Sequence, residues 1–113
     1  MAEHIKIRKA AGTWVVRAGG AVLGESKAAM ALAEGDYPDV IYFPRADIAM
    51  AFLDPSDTKT TCPHKGEASY YSIQAKSGPL PDSVWSYEAP IDAVADIASL
   101  LAFDTSRVTV EQV

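Results

Sequence analysis

The sequence predicts a mainly β fold, a single compact domain over residues 1–113 with about seven or eight strands and one short helix near residues 91–101. Short runs of alternating apolar and polar residues are typical of half-buried strands. Glycine and proline turns separate these runs, and only one segment after Pro90 has a convincing helical period. The length of 113 residues, 49% of them hydrophobic, is enough for one core without disulfides.

The first third of the chain predicts a hairpin. Residues 4–9 alternate apolar and polar side chains, and residues 13–17 form a second β-prone run. Gly19 and Gly20 favour a tight turn because glycine tolerates positive φ, and residues 21–25 then return as a third strand.

Residues 27–34 are ambiguous between helix and strand. Ser26 is a suitable N-cap, Gly35 a suitable stop, and the alanines favour a helix, which gives the helix a slight advantage on pattern alone. Alternation of alanines with Met30 and Leu32 also allows a strand. Strands are then predicted at residues 40–43 and 48–53, followed by a loop at 54–57.

The last third predicts strands at residues 67–76, 84–87 and 107–113, with a turn or loop at 77–82. Between the last two strands, apolar residues recur with the spacing of one helix face. They are Ile91, Val94, Ala95, Ala98 and Leu101.

Composition and charge restrict the function. The net charge is −5, and the only basic cluster lies in residues 6–9, so we do not expect this chain to bind nucleic acid. No apolar run approaches the roughly 18–20 residues of a membrane span, and no secretory signal is visible, which predicts a cytoplasmic protein. One cysteine, Cys62, allows neither an internal disulfide nor a zinc site of cysteine pairs. We expect no metal and no cofactor.

One polar segment, residues 57–71, resembles the signature of a known family. It reads Asp-Thr-Lys-Thr-Thr-Cys-Pro-His-Lys-Gly-Glu-Ala-Ser-Tyr-Tyr, and the flanking Tyr42-Phe43-Pro44-Arg45 and Val84-Trp85-Ser86-Tyr87 occur in family order. The chain resembles the family filed as domain of unknown function 427, sometimes labelled nucleotidyltransferase-like. The resemblance implies an Mss4-like β fold and a strand at residues 27–34.

Two departures from the family and one missing motif limit what the resemblance implies. His64 stands where the family has an aromatic residue, and Tyr71 where tryptophan is common. Some Mss4-like proteins hold zinc with cysteine pairs, which a single cysteine does not allow. The chain has no Gly-Ser followed by paired aspartates and no phosphate loop, so the nucleotidyltransferase label finds no support in the residues.

The preferred functional hypothesis is a small-molecule site with an aromatic and cationic pocket around the Thr-Cys-Pro-His-Lys-Gly segment. Tyrosine and tryptophan bury large areas while keeping a polar tip for a ligand, and lysine beside glycine suits an anion. For any one ring, ordinary core packing is the commoner explanation. The predicted ligand-binding residues are Tyr42, Lys65, Gly66, Glu67, Tyr70 and Trp85.

Two other functions stay open. In an enzyme, Cys62 would be the nucleophile or redox centre and Lys65 would stabilise its thiolate, with Glu67 or His64 moving protons. A free cysteine is more often a small buried hydrophobe. In an interaction or assembly module, the acidic C-terminal part and the sheet edges would pair with a partner or with a second copy in a homo-oligomer.

Overall fold

The computed structural model describes residues 4–113, in which ten strands form three antiparallel sheets, two or three more strands than predicted. The strands are β1 (Ile5–Lys9), β2 (Trp14–Ala18), β3 (Ala21–Ser26), β4 (Met30–Glu34), β5 (Val40–Tyr42), β6 (Leu53–Cys62), β7 (Gly66–Ala75), β8 (Gly78–Ser86), β9 (Ala102–Phe103) and β10 (Thr109–Gln112). None of the short 3-10 helices within the described residues is long and apolar enough to cross a membrane.

The three sheets have the strand orders β1-β4-β5, β10-β2-β3 and β6-β7-β8-β9. The first and third are joined where Phe43, just after β5, exchanges two backbone hydrogen bonds with Leu101, just before β9. The N···O distances are 2.8 and 2.9 Å. This junction brings β5 beside β9, and it positions the candidate site described below.

Two apolar clusters form most of the core. The first contains Phe43 and Phe103, whose rings meet edge to face with centroids 5.7 Å apart. The second contains Tyr42, Leu32 and Ile97, with further half-buried aromatic residues packed against it. The side chains of Tyr42 and Phe43 thus enter different clusters, as expected for adjacent residues at the end of a strand.

The ambiguous segment contains a strand. Residues Met30–Glu34 pair with β1 on one side, with Ile5 opposite Glu34, and with β5 on the other. The strand implied by family resemblance is therefore confirmed, and the slight preference of the pattern for a helix was wrong. Ala31 and Leu32 are both buried where β4 lies between β1 and β5. The intrinsic helix propensity of alanine takes no account of such pairing with neighbouring strands.

The strand predicted at residues 48–53 was wrong. Residues Arg45–Asp47 and Met50–Phe52 are 3-10 helices, and β6 begins only at Leu53. Residues 54–57, predicted as a loop, lie within β6, which is an edge strand with a register shift between Pro55 and Lys59. Proline is tolerated there because an edge strand needs no inward N–H at every position.

The other corrections lie in the C-terminal half. Most of the loop predicted at residues 77–82 belongs to β8, which follows β7 through a tight turn. The short strand β9 was not predicted. The helix near 91–101 is a 3-10 helix limited to Asp92–Ile97, kinked at Val94. Of the predicted apolar face, Val94 and Leu101 are buried, but Ile91, Ala95 and Ala98 are exposed. The burial prediction was wrong for those three because the helix stops early, and the backbone of Leu101 pairs with Phe43 instead.

Candidate functional site

The family-like segment forms the hairpin of β6 and β7. Cys62 lies opposite Gly66, and the backbone N–H of Lys65 donates to the carbonyl of Cys62 at 3.1 Å. Gly66 has a φ of +119°, and a Cβ there would lie 3.4 Å from Cα of Pro90. The positive φ is the reason for glycine in the turn, since the atoms of residues 89–91 lie at ordinary van der Waals distance from an added Cβ.

The side chain of Lys65 points inward from this turn. It is 11% exposed, and its Nζ donates to Oε1 of Glu34 at 2.9 Å. Burial alone would lower the pKa of Lys65, but the hydrogen bond to Glu34 and the neighbouring sulfur of Cys62 outweigh it, and the pKa is raised. The same hydrogen bond lowers the pKa of Glu34 despite its partial burial. Both groups are therefore charged at neutral pH.

The two histidines, far apart in sequence, meet beside this ion pair. Because Ile5 lies opposite Glu34 in the first sheet, His4 reaches Oε2 of Glu34 with its Nε2 at 3.3 Å. The His4 ring meets the His64 ring edge to face, with centroids 4.6 Å apart. Among residues 4–113 no group of three or more histidine, cysteine or acidic side chains is arranged to hold a metal ion.

Four of the six predicted ligand-binding residues line one cavity of about 420 Å³. They come from three different strands and the hairpin turn, and Tyr70 lies directly opposite Trp85 across β7 and β8. The Tyr70 hydroxyl shares a 2.9 Å hydrogen bond with the Thr60 hydroxyl. The four residues are Tyr42, Lys65, Tyr70 and Trp85.

The remaining predicted residues do not line this cavity. Gly66 shapes the turn, and Glu67 is exposed. Cys62 is a free, half-buried thiol that packs against the apolar cluster containing Tyr42. Its position agrees with the packing role, although a charge on its sulfur would interact with the Lys65 ammonium group.

Sequence reasoning missed four polar residues of the cavity: Glu34, Asp82, Tyr87 and Asp104. All four lie outside the signature segment, and only Tyr87 stood in one of the flanking family-like pieces. Burial is the main cause that raises the pKa of Tyr87 and of Tyr42, so both phenols stay protonated at neutral pH. No sequence signal marks the three carboxylates, because the register of separate strands brings them together.

The cavity lining carries more negative than positive charge, whereas the sequence predicted a cationic pocket. One lysine, already paired with Glu34, faces three carboxylates. Hydrogen bonds from Ser56 and Thr58 lower the pKa of Asp82, and those from Ser106 lower the pKa of Asp104, so both stay ionised.

Arg45 and Asp47, near the family-like Tyr42-Phe43-Pro44 run, have structural partners. Arg45 donates to the carbonyl oxygen of Ser99 at 2.8 Å, to the hydroxyl of Tyr71 at 2.8 Å and to the carboxylate of Glu88 at 2.9 Å. Asp47 accepts a 2.6 Å hydrogen bond from Ser26. These contacts tie the 3-10 helix after β5 to its neighbours.

Comparison with known proteins agrees with the resemblance seen in the signature segment. A family model described as a domain of unknown function (DUF427) matches residues 6–113, which is nearly the whole chain. No curated protein matches the sequence.

Proposed function

The chain belongs to the family described as a domain of unknown function (DUF427), and we propose that it binds a small molecule in the cavity between β5, β7 and β8. The observation that supports this most is that Tyr42, Lys65, Tyr70 and Trp85 converge on one cavity from separate elements. Its volume of about 420 Å³ lies within the range of about 300–1,000 Å³ common for ligand sites.

The lining is suited to selective binding. Trp85 and Tyr70 offer aromatic surface. The charged ammonium group of Lys65 is held in place by its hydrogen bond to Glu34 and by the turn that carries Lys65. A ligand that enters finds these groups in place, which reduces the ordering entropy that binding costs.

Adjacent tyrosines on β7 provide a matched test of this proposal. Tyr70 lines the cavity, whereas Tyr71 accepts a hydrogen bond from Arg45 and packs against the first apolar cluster. We would screen a library of small metabolites by thermal shift and measure affinities of the hits by calorimetry. Tyr70→Leu should weaken a genuine ligand by about threefold to tenfold, since aromatic pairs are worth about 0.5–1.5 kcal/mol, and Tyr71→Leu should not. Equal affinities in both variants would contradict the proposed location.

A second candidate function is catalysis by Cys62. It is favoured by one observation: Cys62 and Lys65 close the same turn, with a 3.1 Å backbone hydrogen bond between them, so a thiolate at Cys62 would interact with the Lys65 ammonium group. Alkylation of Cys62 in the folded protein, compared with Lys65→Met, tests it. Fast labelling that slows in the variant supports a thiolate held by lysine, whereas labelling only after denaturation leaves Cys62 as a packing residue.

The predicted cytoplasmic location and the Mss4-like grouping of the fold are also proposals. The free cysteine is compatible with a reducing compartment. Localisation of a tagged full-length chain tests the first, and a structural comparison with Mss4-like proteins tests the second.

A further inference from the structure

A larger cavity of about 930 Å³ adjoins the small one. Its lining is mostly apolar and includes Trp14 and Phe103. The two cavities share Glu34, Val40, Trp85 and Asp104 in their linings, so they meet at the side chain of Trp85. One molecule can therefore contact both.

The charges are unequal where the cavities meet. Lys65 is paired with Glu34 in the small cavity, and Arg8 in the large cavity is paired with Asp39 at 2.7 Å. Asp82 accepts a hydrogen bond from the Thr58 hydroxyl, and Asp104 accepts one from the Ser106 hydroxyl. Because these hydroxyls are neutral, they do not cancel the negative charge of the carboxylates. Arg107 forms an ion pair with Asp104 at 3.9 Å, and Lys9 adds a positive charge to the lining of the large cavity. Among the described residues, Asp82 is the one carboxylate of the two linings without an ion pair. A positively charged group is thus favoured near Asp82.

Resting on the binding function proposed above, we propose that the two cavities form one site for an organic cation with an aromatic or aliphatic body. The ammonium group lies in the small cavity near Asp82, against the face of Trp85. The body extends into the large cavity towards Trp14. Tryptophan is the best of the aromatic residues for cation–π contact, and an apolar body gains from removal from water.

Three probes distinguish the contribution of the positive charge to binding from that of the apolar body. Phenethylamine and 3-phenylpropanoate share a phenyl ring and a short chain but carry opposite charges, and methylammonium is the head group alone. We expect phenethylamine to bind at least about tenfold more tightly than either of the others, by calorimetry and by tryptophan fluorescence.

Two variants locate the two ends of the probe. Asp82→Asn keeps an acceptor for Thr58 and suits the φ of 52° at this position, but it removes the charge, and it should weaken phenethylamine severalfold. Asp96→Asn, exposed and outside both cavities, is the matched control and should have no effect. Trp14→Leu should weaken phenethylamine and leave methylammonium unchanged.

Each outcome decides a separate point. If 3-phenylpropanoate binds as tightly as phenethylamine, the cation preference is overturned, while a loss of that binding in Tyr70→Leu keeps the proposed cavity. If phenethylamine binds but Trp14→Leu has no effect, the extension into the large cavity is overturned. If phenethylamine fails to bind while another library compound binds in a Tyr70-dependent way, the cation inference fails alone. If nothing binds, both proposals fail.

Discussion

The ion pair between Lys65 and Glu34 makes the sharpest test of the structure. We expect Lys65→Met to lower the free energy of unfolding by about 2 kcal/mol at pH 7. The substitution removes the ammonium partner of the partly buried Glu34 carboxylate and leaves it only the longer contact with His4. The side chains are 11% and 23% exposed, between a surface pair and a fully buried one. The coupling energy in a double-mutant cycle with Glu34→Gln should therefore be about 1 kcal/mol.

The pH dependence of this coupling has a definite sign. The pKa of Glu34 is lowered from its ordinary 4.5, so its contribution is complete above that value and disappears as acid titrates it through the lower folded-state pKa. The pKa of Lys65 is raised from 10.5, so its contribution is complete below that value and disappears as the pH rises through the higher folded-state pKa. The coupling should therefore be constant between about pH 5 and 10 and fall on either side.

Urea unfolding of the four proteins in the cycle, at several pH values, measures the coupling. Lys59→Met is the matched control, since this lysine lies on the same hairpin, is exposed and donates only to a serine hydroxyl. It should cost less than about 0.5 kcal/mol. A coupling near zero at pH 7, or one that persists unchanged at pH 2, would refute the reasoning that this pair is formed and partly buried.

Three further predictions concern stability and use the same unfolding assay. Gly66→Ala and Gly78→Ala should each cost about 1–3 kcal/mol, because both glycines have positive φ and neither added Cβ meets an atom closer than ordinary van der Waals contact; a cost below about 0.5 kcal/mol at both positions would count against backbone strain as the cause. Arg45→Lys should cost about 2 kcal/mol because lysine cannot reproduce the four directed hydrogen bonds, and a loss below about 0.5 kcal/mol would count against their being formed. Phe43→Ala should cost about 3–5 kcal/mol because this ring is fully buried, whereas Phe52→Ala, 52% exposed, should cost less than about 1 kcal/mol; similar costs would mean that the core is assigned wrongly.

Local pattern was sufficient where one strand carries its own signal. The alternation of residues 4–9 and the glycine turn at Gly19 and Gly20 predicted β1 to β3 with errors of one residue or so at each end. It failed where an element depends on a partner. Residues 54–57 look like a loop but pair with β7, and two-residue β9 exists because Ala102 and Phe103 lie opposite Trp85 and Val84.

For the candidate site, the sequence determined which residue types were available, and the signature segment indicated Lys65, Tyr70 and the turn at Gly66. Only the tertiary structure decided the sign of the cavity's charge. Glu34 reaches Lys65 from the end of β4, which lies between β1 and β5. Asp82 on β8 and Asp104 just after β9 lie outside the signature segment, and only the pairing of the strands brings them to the cavity. Strand register across three sheets is a long-range property set by the burial of whole faces, and a single sequence encodes it only collectively.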